Sequence, residues 1–407
     1  MRIIFLNTSS LESPYTSGRC LPIAKALAIR GNEVHIVTLH HNMPNSRTFT
    51  VKQGCITVHF VGQMHVLKRG SETYYFPTQQ LMSVVTKATV AMFRRCLELQ
   101  GDIYHIGKPH PQNSLSGLLI KILRRSVKLF LDYDDVEYIS NRFLSSWQRK
   151  IAWFLETSMP KLVDGVTYHT RYLGEILSNY GVTSDRCLRL PSLIDMARFS
   201  HVDISAIQRW RRDLKLSPAT PVVMYIGSLS LANHPVNLLL EAFALLKQYK
   251  GVEEARLIIV GGGPDITFLR QYAAHLSIEQ KCTFIGRVSP SEVPTLLKLA
   301  TLTVDPVQDD IVARARWPLK IIESLAAGVP VVTGDVGDRR EMLADGAAGI
   351  LVTPGDAQAL AEGIAQALRE DMRLATMQRA AREVAARYMD DHFITQLVAF
   401  YESRKRG

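Results

Sequence analysis

Cysteine is scarce in this chain of 407 residues: Cys20, Cys55, Cys96, Cys187 and Cys282 lie far apart, without paired spacing. An odd, dispersed set argues against a disulfide framework or a structural zinc site, and for reduced thiols. No apolar run approaches the roughly 20 residues that a helix needs to cross a bilayer. The apolar stretch at Met1–Leu6 is far too short for the core of a secretory signal, so the expectation is a cytoplasmic protein. Also missing is a complete glycine fingerprint for a dinucleotide: the loop from Asn7 to Arg19 holds Gly18 but no GxGxxG. No basic strand interleaved with aromatics and no nucleic-acid motif is present, which removes nucleic acid from the expected partners.

What is present is ample apolar content, 47%, enough for two cores in a chain of two-domain length. The net charge of +10 is uneven. Residues 1–205 carry 24 Lys and Arg against 15 Asp and Glu, and residues 206–407 carry 24 against 23. The excess therefore sits in the first half, where it suits an anionic membrane surface or a phosphate-bearing acceptor. A merely soluble basic surface is the plainer alternative.

Short apolar runs alternate with helical patterns throughout. Arg2–Leu6 and Val34–Thr38 flank a helix from Leu21 to Arg30, the start of a doubly wound sheet. Further strands are expected at Ile56–Val61, Ile103–Ile106, Val127–Leu131 and Gly165–Tyr168, with helices at Thr78–Leu99, Ser114–Arg124 and Ser146–Leu162. In the second half, Val222–Ile226, Arg256–Val260, Cys282–Ile285, Leu302–Val304, Val329–Thr333 and Gly349–Val352 read as strands, and the unbroken apolar runs Val222–Ile226 and Leu257–Val260 as parallel strands covered on both faces. The fold class is thus α/β, with two Rossmann-like domains.

The organising stretch runs from Thr303 to Gly337. A buried strand leads into a polar, cationic loop through Trp317, then a short helix opens at Pro318 and closes at Gly328. Lys320 and Glu323, three apart, share a face near that helix start. Free N–H groups and the helix dipole make such a start an anion site. An ammonium and a carboxylate beside it suit a ligand with phosphates and hydroxyls, a nucleotide sugar. The plainer reading is a solvated Lys320–Glu323 ion pair. Glycines after two strands, Gly227 with Ser228 and Gly262 with Gly263, would let backbone approach phosphate, or simply turn the chain.

From Glu323 to Val332 the residues ESLAAGVPVV resemble the nucleotide-sugar motif of retaining glycosyltransferases with two facing Rossmann-like domains, the GT-B fold of family 4. The resemblance implies a donor site in the second domain at Gly227, Ser228, Gly262, Gly263, Arg287, Arg316, Pro318, Leu319, Lys320 and Glu323, with Glu323 on the ribose. It also implies that Gly18 gives its backbone N–H to the donor phosphate. Two positions depart from the motif: Ala315 stands where a first glutamate belongs, and Ser228 where an arginine follows the glycine. Lys320, Arg316 and, behind them, Arg339 are the candidate cations for the diphosphate.

The family resemblance also implies an interdomain segment at Leu190–Phe199, so domains are expected at 1–198 and 199–385, with 386–407 crossing back as a final helix. In the first domain, His110 follows one strand, and Asp132, Asp134, Asp135 and Glu137 follow the next. Asp134 and Asp135, with His110, are the expected reaction-side groups, orienting an acceptor hydroxyl or taking its proton. The plainer reading has Asp132 capping the strand end and the other acids facing water. No metal and no cofactor are expected beyond the nucleotide-diphosphate sugar.

The implied function is transfer of a hexose, with retention, to a glycan, lipid-linked or small-molecule acceptor, as in cell-envelope polysaccharide synthesis. A nucleotide-sugar epimerase and a non-catalytic binding protein on the same fold are the competitors. The segment Asn141–Val163 carries Trp147, Trp153 and Phe154 among cations and suits a membrane interface. Its aromatic stripe is expected to be ordinary core, with peripheral contact at the inner face of the membrane as the weaker alternative.

Overall fold

The computed structural model describes all residues except 12, 14, 44–47, 70, 71, 142, 144, 201, 406 and 407. It divides into two units, Met1–Leu193 with Asp390–Gly407, and Ile194–Met389. The division therefore falls at Leu193, a few residues before the expected boundary, and the final helix Asp390–Lys405 belongs to the first unit.

In the first unit eight strands form one sheet. From one edge they run Cys187–Arg189, Gly165–Tyr168, Lys128–Tyr133, Ile103–Gly107, Arg2–Leu6, Glu33–His40, Ile56–Gln63 and Phe49–Gln53. All neighbours are parallel except the last pair. Continuous burial along Ile3–Leu6 and Leu129–Tyr133 follows from helices on both faces. The second sheet is wholly parallel, in the order Cys282–Gly286, Arg256–Val260, Val222–Ile226, Leu302–Asp305, Val331–Gly334, Gly349–Val352.

Both sheets reverse their strand order beside their first strand. In the first unit the reversal lies between Arg2–Leu6 and Ile103–Gly107, and in the second between Val222–Ile226 and Leu302–Asp305. The loops leaving the carboxyl ends of strands at such a reversal spread apart, which opens a crevice for ligand.

Several elements go beyond the sequence reading. The strand Phe49–Gln53 is almost wholly exposed, and its residues form no unbroken apolar run. The hairpin Val66–Arg69 with Glu72–Tyr75 and the helices Arg171–Asn179 and Ile204–Asp213 were likewise not expected. Thr170 and Asp203 cap those two helices, accepting from Leu173 N and Ser205 N. The organising helix is one turn shorter than expected: it spans Leu319–Ala326, with Pro318 as the residue just before it. Gly328 follows with φ +77°, the left-handed exit that glycine adopts without a Cβ penalty.

Candidate functional site

Asp305 is the centre of the second unit's site. It ends the strand Leu302–Asp305 and is buried. Lys320 Nζ lies 3.1 Å from one carboxylate oxygen and Arg339 Nε 2.9 Å from the other. The Thr333 hydroxyl, on the neighbouring strand, donates to the Asp305 carbonyl at 2.9 Å. Burial opposes the carboxylate, but the two cations hold its pKa well below the usual range. Lys320 also sits 4.6 Å above the Tyr225 ring, and burial notwithstanding, Tyr225 and Asp305 keep it protonated.

The plainer reading, a solvated Lys320–Glu323 ion pair, is not the arrangement found. Glu323 pairs instead with Arg198 at 3.3 Å, and Arg198 also donates to the Pro290 carbonyl. Burial raises the Glu323 pKa while Arg198 opposes the rise. Arg198 and Asp305 were not among the expected residues, because both matter only through contacts remote in sequence. Arg339, offered as a diphosphate cation, is 4% exposed and spent on Asp305 and on the Ala313 and Val336 carbonyls. Its role is structural.

The glycine loops serve the backbone first. A Cβ on Gly261 would fall 1.8 Å from the Gly227 carbonyl oxygen, and one on Gly263 2.2 Å from that of Leu229. The two loops thus interlock main chain to main chain. Gly262 makes room for the exposed Arg287 side chain, and a Cβ on Gly227 would stand 3.3 Å from Lys320 Nζ. The Tyr225 hydroxyl donates to the Ser228 carbonyl at 2.8 Å, fixing that turn. Gly227, Ser228 and Lys320 are therefore together.

Arg316 donates to the Asn233 carbonyl at 3.0 Å, which brings it to the loop after Ser228. His234 in that loop is held neutral, its pKa pushed down to about 2 by burial and by Lys320 and Arg316. The Pro318 end of the helix Leu319–Ala326 has no side-chain cap. An uncapped helix start beside Lys320 and Arg316 is a positive corner. Ala315, where the resembled motif has glutamate, is fully buried and presents no carboxylate.

The first unit's site gathers at the carboxyl ends of its strands. Asp132 is neither a bare cap nor wet. Arg19 grips it with Nη2 and Nε, at 2.5 and 2.6 Å, while the Thr167 and Tyr15 hydroxyls donate at 2.7 and 3.0 Å. Gly18, expected in an open loop, is buried inside a π-helical turn, Thr16–Cys20, that runs into the helix Leu21–Ile29.

Beyond Asp132, Asp134 and Glu137 are also withdrawn from water, while Asp135 is half-buried. Lys108 bonds the buried Glu137 and lies 3.3 Å from Asp134. His110 bridges the strand reversal, with Nδ1 2.6 Å from the Thr8 hydroxyl and Nε2 3.1 Å from Glu137. Asp135 accepts from the Val136 N–H at 2.9 Å, its turn preceding the short helix Glu137–Ser140. Burial, with Glu137, Asp132 and Asp135 nearby, pushes the Asp134 pKa up to about 7 against the pull of Lys108.

Lys108 adopts φ +67°, a left-handed backbone that is unusual outside glycine and costs energy. The fold tolerates it to aim the ammonium at Asp134 and Glu137. His169 donates from Nε2 to the Asp134 carbonyl, leaving a buried Nδ1 lone pair with no protein partner. Arg19, Lys108 and His169 escaped the sequence reading. The one available signal was the place of Lys108 and His169, each directly after an apolar strand.

Residues 206–384 match the family of glycosyl transferases group 1. A D-inositol 3-phosphate glycosyltransferase of Nocardia farcinica is 28% identical over 250 residues, 60% of this chain and 52% of that protein. An alpha-monoglucosyldiacylglycerol synthase of Streptococcus pneumoniae is 26% identical over 59% of this chain and 54% of its own length. The chain thus matches about half the length of these curated relatives. Among solved structures, a sucrose-phosphate synthase from Thermosynechococcus elongatus superposes with TM-score 0.76 at 19% identity, covering 99% of both chains. The Anabaena protein HepE in complex with UDP-glucose does so with TM-score 0.72 at 20% identity, again over 99% of each. Fold and family match point the same way: this chain has the GT-B fold, and its residues 206–384 match the glycosyl transferases group 1.

Proposed function

We propose that the chain transfers a hexose, with retention of configuration, from a nucleotide-diphosphate sugar to a hydroxyl of a glycan, lipid-linked or small-molecule acceptor. The observation that carries this reading is the uncapped start of the helix Leu319–Ala326, with Lys320 beside the Gly227–Ser228 turn. A diphosphate there would meet helix N–H groups, the Lys320 ammonium and the Arg316 guanidinium. Glu323, one turn further, would take the ribose hydroxyls. UDP-glucose is the first donor to try, since the similarly folded HepE is seen with it.

Catalysis on this reading is placement and electrostatics. Charge building on the departing diphosphate is met by the positive corner, and neither a metal nor a cofactor is required of the protein. The acceptor hydroxyl would be oriented by Asp134, Asp135 and His110. Asp134, with its pKa near neutral, is the group poised to take the proton. A lipid-linked acceptor would bring the enzyme to the inner face of a membrane, in keeping with the diacylglycerol-directed name of one relative.

The test is UDP release from UDP-glucose by the full chain, with and without a panel of hydroxyl acceptors. Release that depends on acceptor is the expected result. Consumption without acceptor would point to epimerisation, and tight donor binding without consumption to a binding protein; either would overturn the reading.

A further inference from the structure

The helix Pro111–Leu123 is built inside out. Its buried positions are Gln112, Asn113, Ser114, Ser116, Gly117 and Ile120. Its outward stripe is Leu115, Leu119, Ile122 and Leu123, spaced as one helical face, with Ile122 69% and Leu123 62% exposed. A soluble surface would show the reverse. The neighbouring helix Ser146–Leu162 packs against it and repeats the pattern. There Trp147, Ile151, Phe154 and Leu162 share an outward face, Phe154 is 60% exposed, and Trp153 flanks them at 51%. The expectation that this aromatic stripe is core is therefore overturned: the buried positions of the helix are Glu156, Met159 and Pro160 instead.

Charge on the two helices has one sign. Residues 111–126 contain no acid, and residues 146–162 contain only Glu156, which is turned inward to accept from the Tyr133 hydroxyl at 2.7 Å. Lys121 is matched by Asp164 at 2.9 Å. Arg125, Arg149, Lys150 and Lys161 are exposed, and on the helix Lys150 and Lys161 fall beside Phe154 and Trp147. A second copy of this face would set like charges opposite one another. An anionic surface with an apolar interior answers both the charge and the exposed rings, since Trp and Phe settle at the headgroup boundary.

We infer that the face formed by Pro111–Leu123 and Ser146–Leu162 docks the protein on an anionic lipid bilayer. It deepens the transfer reading by supplying the surface at which a lipid-linked acceptor is met, and rests on that reading for this purpose only. Docking itself needs no substrate.

The experiment is sedimentation of the full chain with sucrose-loaded vesicles at low salt. Phosphatidylcholine vesicles are compared with vesicles that also contain phosphatidylglycerol. Pelleting only with the anionic vesicles is expected. Lys150→Ala with Lys161→Ala lowers partitioning about thirtyfold, from the usual contribution of two basic residues at an anionic surface. Phe154→Glu lowers it further, and calorimetric UDP-glucose binding with an unchanged melting temperature shows each variant folded. No pelleting, pelleting unchanged in these variants, or a dimer in light scattering that Phe154→Glu dissolves would overturn the inference. Vesicle binding by a chain that ignores UDP-glucose would leave docking standing and remove the transfer reading alone.

Discussion

The two units carry one device twice and use it differently. Asp132 and Asp305 each sit at or next to the carboxyl end of a strand, each faces a threonine in register on the next strand, and each holds a buried arginine. In the second unit the carboxylate also holds Lys320, and the surrounding groups are Arg316 and an uncapped helix start. In the first, Asp132 is fully consumed by Arg19, Thr167 and Tyr15, and the groups beyond it are Asp134, Asp135 and Glu137 around one Lys108. The same buried pair anchors a positive corner in one unit and an acidic one in the other. The anchor sets geometry; the loop residues after it set the sign.

That contrast is broken most severely by Asp134→Asn. If the acidic corner serves the acceptor alone, transfer falls about 10²–10⁴-fold, the usual worth of a positioned proton acceptor, while UDP-glucose affinity measured by calorimetry holds. Full turnover in this variant would end that assignment. Next are the anchors themselves. Asp132→Asn and Asp305→Asn each strand a buried cation, so each is expected to destabilise its unit by about 3–5 kcal/mol in denaturant unfolding. A loss below about 1 kcal/mol in either would show that the two pairs are not equivalent.

Lys320→Ala should weaken UDP binding by about 10- to 100-fold, the scale of one charge-assisted hydrogen bond, with little change in acceptor KM. Arg339→Ala should act on the melting temperature more than on UDP affinity, because its guanidinium is spent inside the unit. Equal UDP binding by wild type and Lys320→Ala would remove the positive corner from the donor site. The smallest effect is on pH. The Asp134 carboxyl, raised to about 7, accepts a proton only when ionised, so kcat/KM should rise about tenfold per pH unit below that value and level above it. The limb should vanish from the residual activity of Asp134→Asn.

Much of the fold was legible because parallel strands buried on both faces read as unbroken apolar runs, as at Val222–Ile226 and Arg256–Val260. The exposed edge strand Phe49–Gln53 was not, since Phe49 and Val51 alternate with polar residues and no unbroken apolar run marks it. The Leu319–Ala326 helix and the Lys320 and Glu323 on it were legible from punctuation by Pro318 and Gly328. Their partners were not. Glu323 is 125 positions from Arg198, and Asp132 is 113 from Arg19, and no local pattern reports a pairing at that range. The packing of the glycine loops was hidden for a related reason: Gly261 and Gly263 are required by the carbonyls of Gly227 and Leu229, a close approach that appears only once two loops are folded together.

By itself, the order of apolar runs and helical periods determined two α/β units and the loops at which ligands would gather, because burial and hydrogen bonding impose those periods locally. Tertiary structure alone decided which charges meet. It made Arg339 a buried strut and Lys320 the cation at the helix start, and it turned the aromatic face of Ser146–Leu162 outward. Coulomb energies and desolvation depend on distance and burial in space, and neither is written in the order of residues along a chain.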